Sequence, residues 1–337
     1  MNFFNAVDWN HFWPSFLVAL IGTAKVFAIG GAGFTLVRRG WINEGGLQAM
    51  GQLVGLLTLP CLIFYRIATR FDPQTFPGWW KFVLIGSAIT VFGLVMGKLV
   101  ALRHGNNDEA TMLVGFQNSG FFVLPMLEAL LPARDYDRGS LILFMVIAPF
   151  NASLWTAGNW FLLHRRKFEL RTLLTAPFVA TVASLILYAG FHDWAHSFDG
   201  TMLVRILFGE STPGGATGAV QQIGDLTVPL ATLTLGGSIA ANVRGKLRFK
   251  RAVAETTLMR LVVVPAIGYF ILLTFLGRGD HVVWLLLMLQ FASPPAIALA
   301  VFAQQNKLDM KIIPATCLLS YILCLITVPF FVALVPK

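Results

Sequence analysis

The stretch GFQNSGFFVLPMLEALLP, Gly115 to Pro132, decides the fold. It lies within a long apolar segment, yet it carries Gln117, Asn118, Ser119 and Gly120, and then Pro125. A continuous apolar helix needs none of these residues. Proline removes a backbone N–H and crowds the carbonyl one turn back, so a kink or break is predicted near Pro125. In a hydrocarbon medium the freed backbone groups must find partners inside the protein or in trapped water. Amide side chains beside such a break therefore mark a candidate site.

The pattern recurs. Counting 169 residues on from Pro125 reaches Pro294, inside a second apolar segment, LQFASPPAIALAVFAQQ (289–305). The same offset joins Pro60 to Pro229, and it aligns Gln52, Gly55, Leu57 and Thr58 with Gln221, Gly224, Leu226 and Thr227. The two halves read as copies, each with its own interrupted helix. Two successive prolines, Pro294 and Pro295, remove two donors and predict unwinding in the second copy.

Composition sets the medium. The 337 residues are 56% hydrophobic and only 12% charged, against about 25% charged in an average soluble domain. Apolar runs of about 20 residues recur along the chain, as in a polytopic helical membrane protein. The expected fold is all-α with ten transmembrane helices, near 15–37, 47–69, 79–102, 109–132, 139–163, 172–192, 218–242, 252–276, 281–305 and 311–334. Residues 1–163 form the first five-span half, 164–171 a linker and 172–337 the second half. Five spans per half is odd, so the second copy enters the membrane from the opposite side. That inverted repeat is a common plan for secondary transporters.

The net charge of +9 is placed in loops rather than on a nucleic-acid surface, so no nucleic-acid partner is expected. One side of the ten-span arrangement collects fifteen Lys and Arg residues and the other eight. The richer side is assigned to the cytoplasm and both termini to the outside. The loops 164–171 and 243–251 are its strongest markers. The N-terminus lacks a basic region and carries Asp8, so the first apolar run is expected to remain as a span. Cys61, Cys317 and Cys324 lie in apolar runs as packing residues, with no disulfide or metal-ligand spacing.

Several polar residues sit at membrane depth. Lys25 either faces a cavity or snorkels to an interface. Gly30, Gly31 and Gly33, the pair Gly51 and Gly55, and the pair Gly93 and Gly97 offer close helix approach. Asn151, Trp155 and Asn159 share one helical face, which either lines a cavity or bonds neighbouring helices. Asp225 is a coupling candidate for a proton or cation, or else an acid hydrated near the surface. Arg260 lies deep and calls for an acid or a carbonyl. The stretch 193–217 is too polar to span and suggests a helix at the outer interface.

The segments Asn118-Ser119 with Leu124-Pro125-Met126-Leu127, and Ala292-Ser293-Pro294 with Val301-Phe302-Ala303, are similar to motifs of the auxin efflux carrier family of permeases. That family includes plant PIN proteins and bacterial organic-acid permeases, and bile acid:sodium symporters share its plan. The resemblance implies that spans four and nine cross where they unwind. It also implies a scaffold of spans 1, 2, 6 and 7, a transport unit of spans 3–5 and 8–10, a homodimer through the scaffold and elevator motion. Asn118 falls at the family's substrate-contacting asparagine. Pro295 stands where plant members often have a polar residue, which favours a bacterial-type organic anion over auxin.

The residues support that reading independently. Half-helix N-termini attract carboxylates, and nearby carbonyls hold cations. The expected substrate-binding set is Asn118, Ser119, Gln117, Gln290, Ser293 and Asn151, with breaks at Pro125, Pro294 and Pro295. No cofactor is expected, with Na+ or H+ as coupling ions. No nucleotide-binding motif is present for ATP drive. The expected partners are a small organic anion, membrane lipid and a second copy in a bacterial inner membrane. The alternatives are a sodium- or proton-coupled symporter, an intramembrane enzyme, and a receptor without turnover. The enzyme reading lacks a nucleophile–base pair at depth.

Overall fold

The computed structural model describes residues 9–71, 78–164, 174–197, 202–208, 217–243, 249–277, 279–306, 308 and 310–336. It is almost wholly helical. The first half contains α1 (Trp9–Arg38), α2 (Glu44–Leu53), α3 (Leu59–Arg70), α4 (Trp80–Arg103), α5 (Asp108–Gly115), α6 (Leu124–Leu130) and α7 (Ala133–Ala157). The second contains α8 (Ala176–Ser197), α9 (Met202–Phe208), α10 (Ala219–Asp225), α11 (Thr227–Val243), α12 (Arg251–Leu258), α13 (Val264–Leu276), α14 (His281–Ala292), α15 (Ala298–Gln305) and α16 (Ile313–Ala333). Six helical stretches among the described residues are long and apolar enough to cross a membrane. Large apolar side chains such as Leu17, Leu56, Val91, Ile186 and Phe275 stand on the outside. The chain is an integral membrane protein.

Wide π turns occupy Val54–Thr58, Ser119–Val123 and Met259–Val263, and each leads into a helix with proline in its first turn: Pro60, Pro125 and Pro265. A widened turn moves the preceding carbonyl away from the proline ring, so the helix continues without a clash. This refines the expectation at Pro125. The chain unwinds earlier, at Phe116–Asn118, and Pro125 sits beyond the π turn, where helix resumes. At Pro294 and Pro295 the unwinding lies where the sequence places it, between α14 and α15.

Glycines set the closest contacts. A methyl group at Gly33 would collide with the Leu233 backbone, and one at Gly236 with the Gly30 backbone. Helix α1 therefore rides directly on α11. Likewise Gly97 lies against the Thr111 backbone, 2.6 Å from an added methyl to the carbonyl oxygen, and Gly93 against Val114 and Gly115. Helix α4 thus holds the last turns of α5 just before the break. Among the described residues a methyl at Gly55 meets nothing within 4 Å, and one at Gly51 only the Thr234 side chain at 3.7 Å, so there this pair makes no close helix contact.

Other expectations resolve in part. Lys25 is exposed. The turn at Gly158–Leu162 widens to π, so the α-helical spacing from Asn151 to Asn159 does not hold to its end. Helix α8 runs on to Ser197 and α9 follows at Met202, while 198–201 and 209–216 lie outside the described residues. So do most of the basic loops, at 165–173 and 244–248. The three cysteines are free, with Cys317 and Cys324 buried.

Candidate functional site: two paired helix interruptions

The two unwound segments meet. Gln117 and Pro295 form an antiparallel bridge. The Asn118 N–H donates to the Pro294 carbonyl at 2.9 Å, and the Ala296 N–H donates to the Phe116 carbonyl at 2.8 Å. Each break thus satisfies part of the backbone that the other exposes, which an apolar medium requires.

Side chains complete the knot. Asn118 caps the second part of the first helix, its Oδ1 accepting from the Phe121 N–H at 3.1 Å. Its Nδ2 donates to the Tyr321 hydroxyl at 2.6 Å, and that hydroxyl donates to the Pro295 carbonyl at 3.0 Å. Gln290 Oε1 accepts twice, from Gln117 Nε2 at 3.0 Å and from Ser119 Oγ at 2.7 Å. Ser293 Oγ lies 3.4 Å from the Gln290 carbonyl. These side chains are all nearly sealed, from 0% exposed at Gln290 to 4% at Asn118. Yet Gln117 Oε1 and Gln290 Nε2 find no hydrogen-bond partner among the described residues. A spare acceptor and a spare donor remain inside, and buried polar atoms left so are costly.

The structure therefore brings together five of the expected residues: Gln117, Asn118, Ser119, Gln290 and Ser293. Asn151 belongs to α7, but its side chain lies outside the described residues. Asp225 stands apart from the knot, exposed at the end of α10. It is within electrostatic reach of Glu128 on α6, as is Arg66. Arg66 is ion-paired with Asp137.

Sequence reasoning missed Tyr321. The signal was available: a lone phenol in the apolar run of 313–333 needs a partner for its hydroxyl when buried, and Tyr321 is 1% exposed. Among the described residues no cluster of His, Cys, Asp and Glu is placed to hold a metal ion.

A polar cavity of about 620 Å³ opens around the start of α5, lined by His104, Asn107, Glu109, Arg251 and Lys311 among others. None of the knot residues lines it. The eight residues of α5 separate the two by about 12 Å of helix rise.

Comparison with known proteins places this arrangement. The chain matches the membrane transport protein family twice, over residues 18–171 and 166–332. It belongs to that family, the auxin efflux carrier family of its sequence motifs. The two matched stretches overlap at residues 166–171. Family members are transporters and not enzymes. An uncharacterized transporter of Methanothermobacter thermautotrophicus is 25% identical over 320 residues, 89% of this chain and 92% of that protein. PIN-LIKES 1 of Arabidopsis thaliana is 30% identical over 149 residues, which is 41% of this chain and 28% of the plant protein. PIN-LIKES 7 of the same plant is 29% identical over 107 residues, 30% of this chain and 27% of its own length.

Proposed function

We propose that this family member is a secondary transporter that carries a small organic anion, a carboxylate, by alternating access. One observation carries the reading: two interrupted helices joined at Gln117 and Pro295, with buried amide groups that have hydrogen-bonding capacity to spare. Helix N-termini beyond each break attract negative charge, and Asn118 and Gln290 add neutral amide groups that can orient a carboxylate.

In this reading all ten spans expected from the sequence cross the membrane, and spans four and nine cross each other at the breaks. The scaffold is α1–α3 and α8–α11, and the transport unit is α4–α7 and α12–α16. Two copies associate through the scaffold in a bacterial inner membrane, with both termini outside. The transport unit then moves as an elevator against a fixed partner, exposing the knot to alternate sides. The polar cavity at the start of α5 is the cytoplasmic approach. A second reading, proton coupling, draws on Asp225 and Glu128, two acids within electrostatic reach of one another.

The test is flux of a labelled dicarboxylate such as succinate into proteoliposomes, with imposed pH or sodium gradients. Wild type is expected to accumulate label. Asn118→Ala loses both the cap and the Tyr321 contact, and flux is expected to fall at least about tenfold, equivalent to about 1.4 kcal/mol, with the folded protein retained. Unchanged flux in Asn118→Ala would remove Asn118 from the site. Tight binding without counterflow would turn the reading to a receptor.

A further inference from the structure

Arg260 lies in the π turn Met259–Val263 and is 1% exposed. Among the described residues no carboxylate meets it in a hydrogen bond. Its four hydrogen bonds to described residues go to backbone carbonyls: Nε to Ser293 at 2.8 Å, Nη1 to Val114 at 3.1 Å, and Nη2 to Gln290 at 2.8 Å and Phe291 at 3.0 Å. Val114 belongs to the last turn of α5, and the other three close α14. These are the negative ends of two half-helices, where carbonyls lack the N–H partners that a continuing helix supplies. Converging carbonyl oxygens at half-helix C-termini are also the ligand set with which a transporter holds a coupling cation.

We infer that Arg260 is a built-in, non-exchangeable cation that fills a carbonyl nest shared by the two interrupted helices, so that this nest takes up no sodium ion. This inference deepens the transport reading and rests on it for the word coupling, but the geometry stands without it. The planar guanidinium fork fits the nest, since it reaches four carbonyls on two helices at once, which the point charge of a lysine does less well. The repeat does not supply a second such group. Residues 82–97 of α4, the corresponding stretch of the first half, contain no Lys or Arg. A single side chain from the second half therefore neutralises the break ends of both halves.

The experiment uses purified full-length protein and no organic anion, so failure of the dicarboxylate flux assay leaves it intact. Thermal unfolding is followed by tryptophan fluorescence in matched sodium chloride, lithium chloride and choline chloride. Wild type is expected to melt at the same temperature in all three. Arg260→Ala is expected to melt about 5–10 °C lower, since it leaves four buried carbonyls unpaired. About 10 mM guanidinium chloride is expected to restore at least half of that shift by refilling the nest, while lowering or leaving unchanged the wild-type value. A merely structural arginine would give no such rescue. Arg260→Lys is expected to fall between the two and covers the case in which Arg260→Ala does not fold. Specific, dose-dependent stabilisation of wild type by sodium over choline would overturn the proposal. So would wild-type stability in Arg260→Ala or in Arg260→Lys.

Discussion

The two interruptions do the same job with different chemistry. The first, at Phe116–Asn118, contains no proline; its irregularity is held by side chains, with Asn118 as cap and Gln117 and Ser119 bonded to Gln290. The second, between Ala292 and Ala298, is made by Pro294 and Pro295, which have no N–H to give. It contributes carbonyls instead: Pro294 to the Asn118 N–H, Pro295 to Tyr321, and Ser293 to Arg260. One break is therefore rich in amide and hydroxyl groups and the other in bare acceptors. Their side chains are complementary, while the backbone exchange between them is symmetric, one N–H given and one taken by each break. The backbone therefore supplies the pairing, and the unlike side chains add to it.

Gln290 is where this contrast is sharpest, because it lies on the acceptor-rich side yet serves the amide-rich one. Gln290→Leu removes an acceptor shared by two buried donors. The orphaned Gln117 Nε2 and Ser119 Oγ are expected to cost about 1–3 kcal/mol each, the largest loss of stability among single changes to the knot's side chains. Gln117→Leu orphans less and is expected to cost about half as much. The double variant is expected to lose less than the sum, as bonded pairs do. Chemical or thermal unfolding in detergent reads all three. Strict additivity would mean that the two glutamines do not act as one unit.

This is also where sequence reading succeeded. The polar run 117–119 and the pair Pro294 and Pro295 locate both breaks, because prolines and amides in apolar segments violate the local rule that a buried helix obeys; the offset of 169 residues does not, since it carries 116–118 into the middle of α14. Most predicted element ends fall within three residues of the observed ones, because apolar periodicity and basic loop residues mark them; the starts of α1 and α7 and both ends of α8 are off by four to six residues. Three features were not legible. Pro125 sits beyond the break because a π turn relieves its clash, and a turn width leaves no composition signal. Arg260 announced its need for a partner, but not that four carbonyls from two helices would meet it. Tyr321 comes from the last helix, and its approach to Asn118 depends on packing across 203 residues of chain.

Tyr321 joins the two breaks through one oxygen. Tyr321→Phe keeps the ring that packs edge-on to Phe122 and removes only the hydroxyl. The Pro295 carbonyl loses a donor and Asn118 Nδ2 loses an acceptor. The expected cost is about 1–2 kcal/mol, smaller than for Gln290→Leu because Asn118 retains its cap to Phe121. A change of less than about 0.3 kcal/mol in unfolding free energy would show that the backbone bridge alone holds the breaks together.

The smallest expected effect compares how the two interrupted helices begin. Helix α5 starts at a neutral cap, Asn107, whose side chain accepts from the Glu109 N–H at 3.1 Å. Helix α14 starts at a charged one, Asp280, which accepts from the N–H groups of Val282 and Val283 and pairs with Arg138 at 2.6 Å. Partial burial pushes the Asp280 carboxyl up, but the Val283 N–H, Arg138 and the Val282 N–H together outweigh it and hold it below the usual carboxylate range. A depressed carboxyl stabilises the fold fully above its unfolded pKa of about 3.9, and the contribution is lost as pH falls through the lower folded value. Asp280→Ala is therefore expected to lower the melting temperature by an amount that is constant from neutral pH down to about 5 and shrinks below about 4. Asn107→Ala is expected to cost a similar cap contribution, about 1 kcal/mol, with no such pH dependence. If the Asp280→Ala deficit grew on acidification, the carboxylate would not be the stabilising form, and the charge at the start of α14 would owe nothing to its cap.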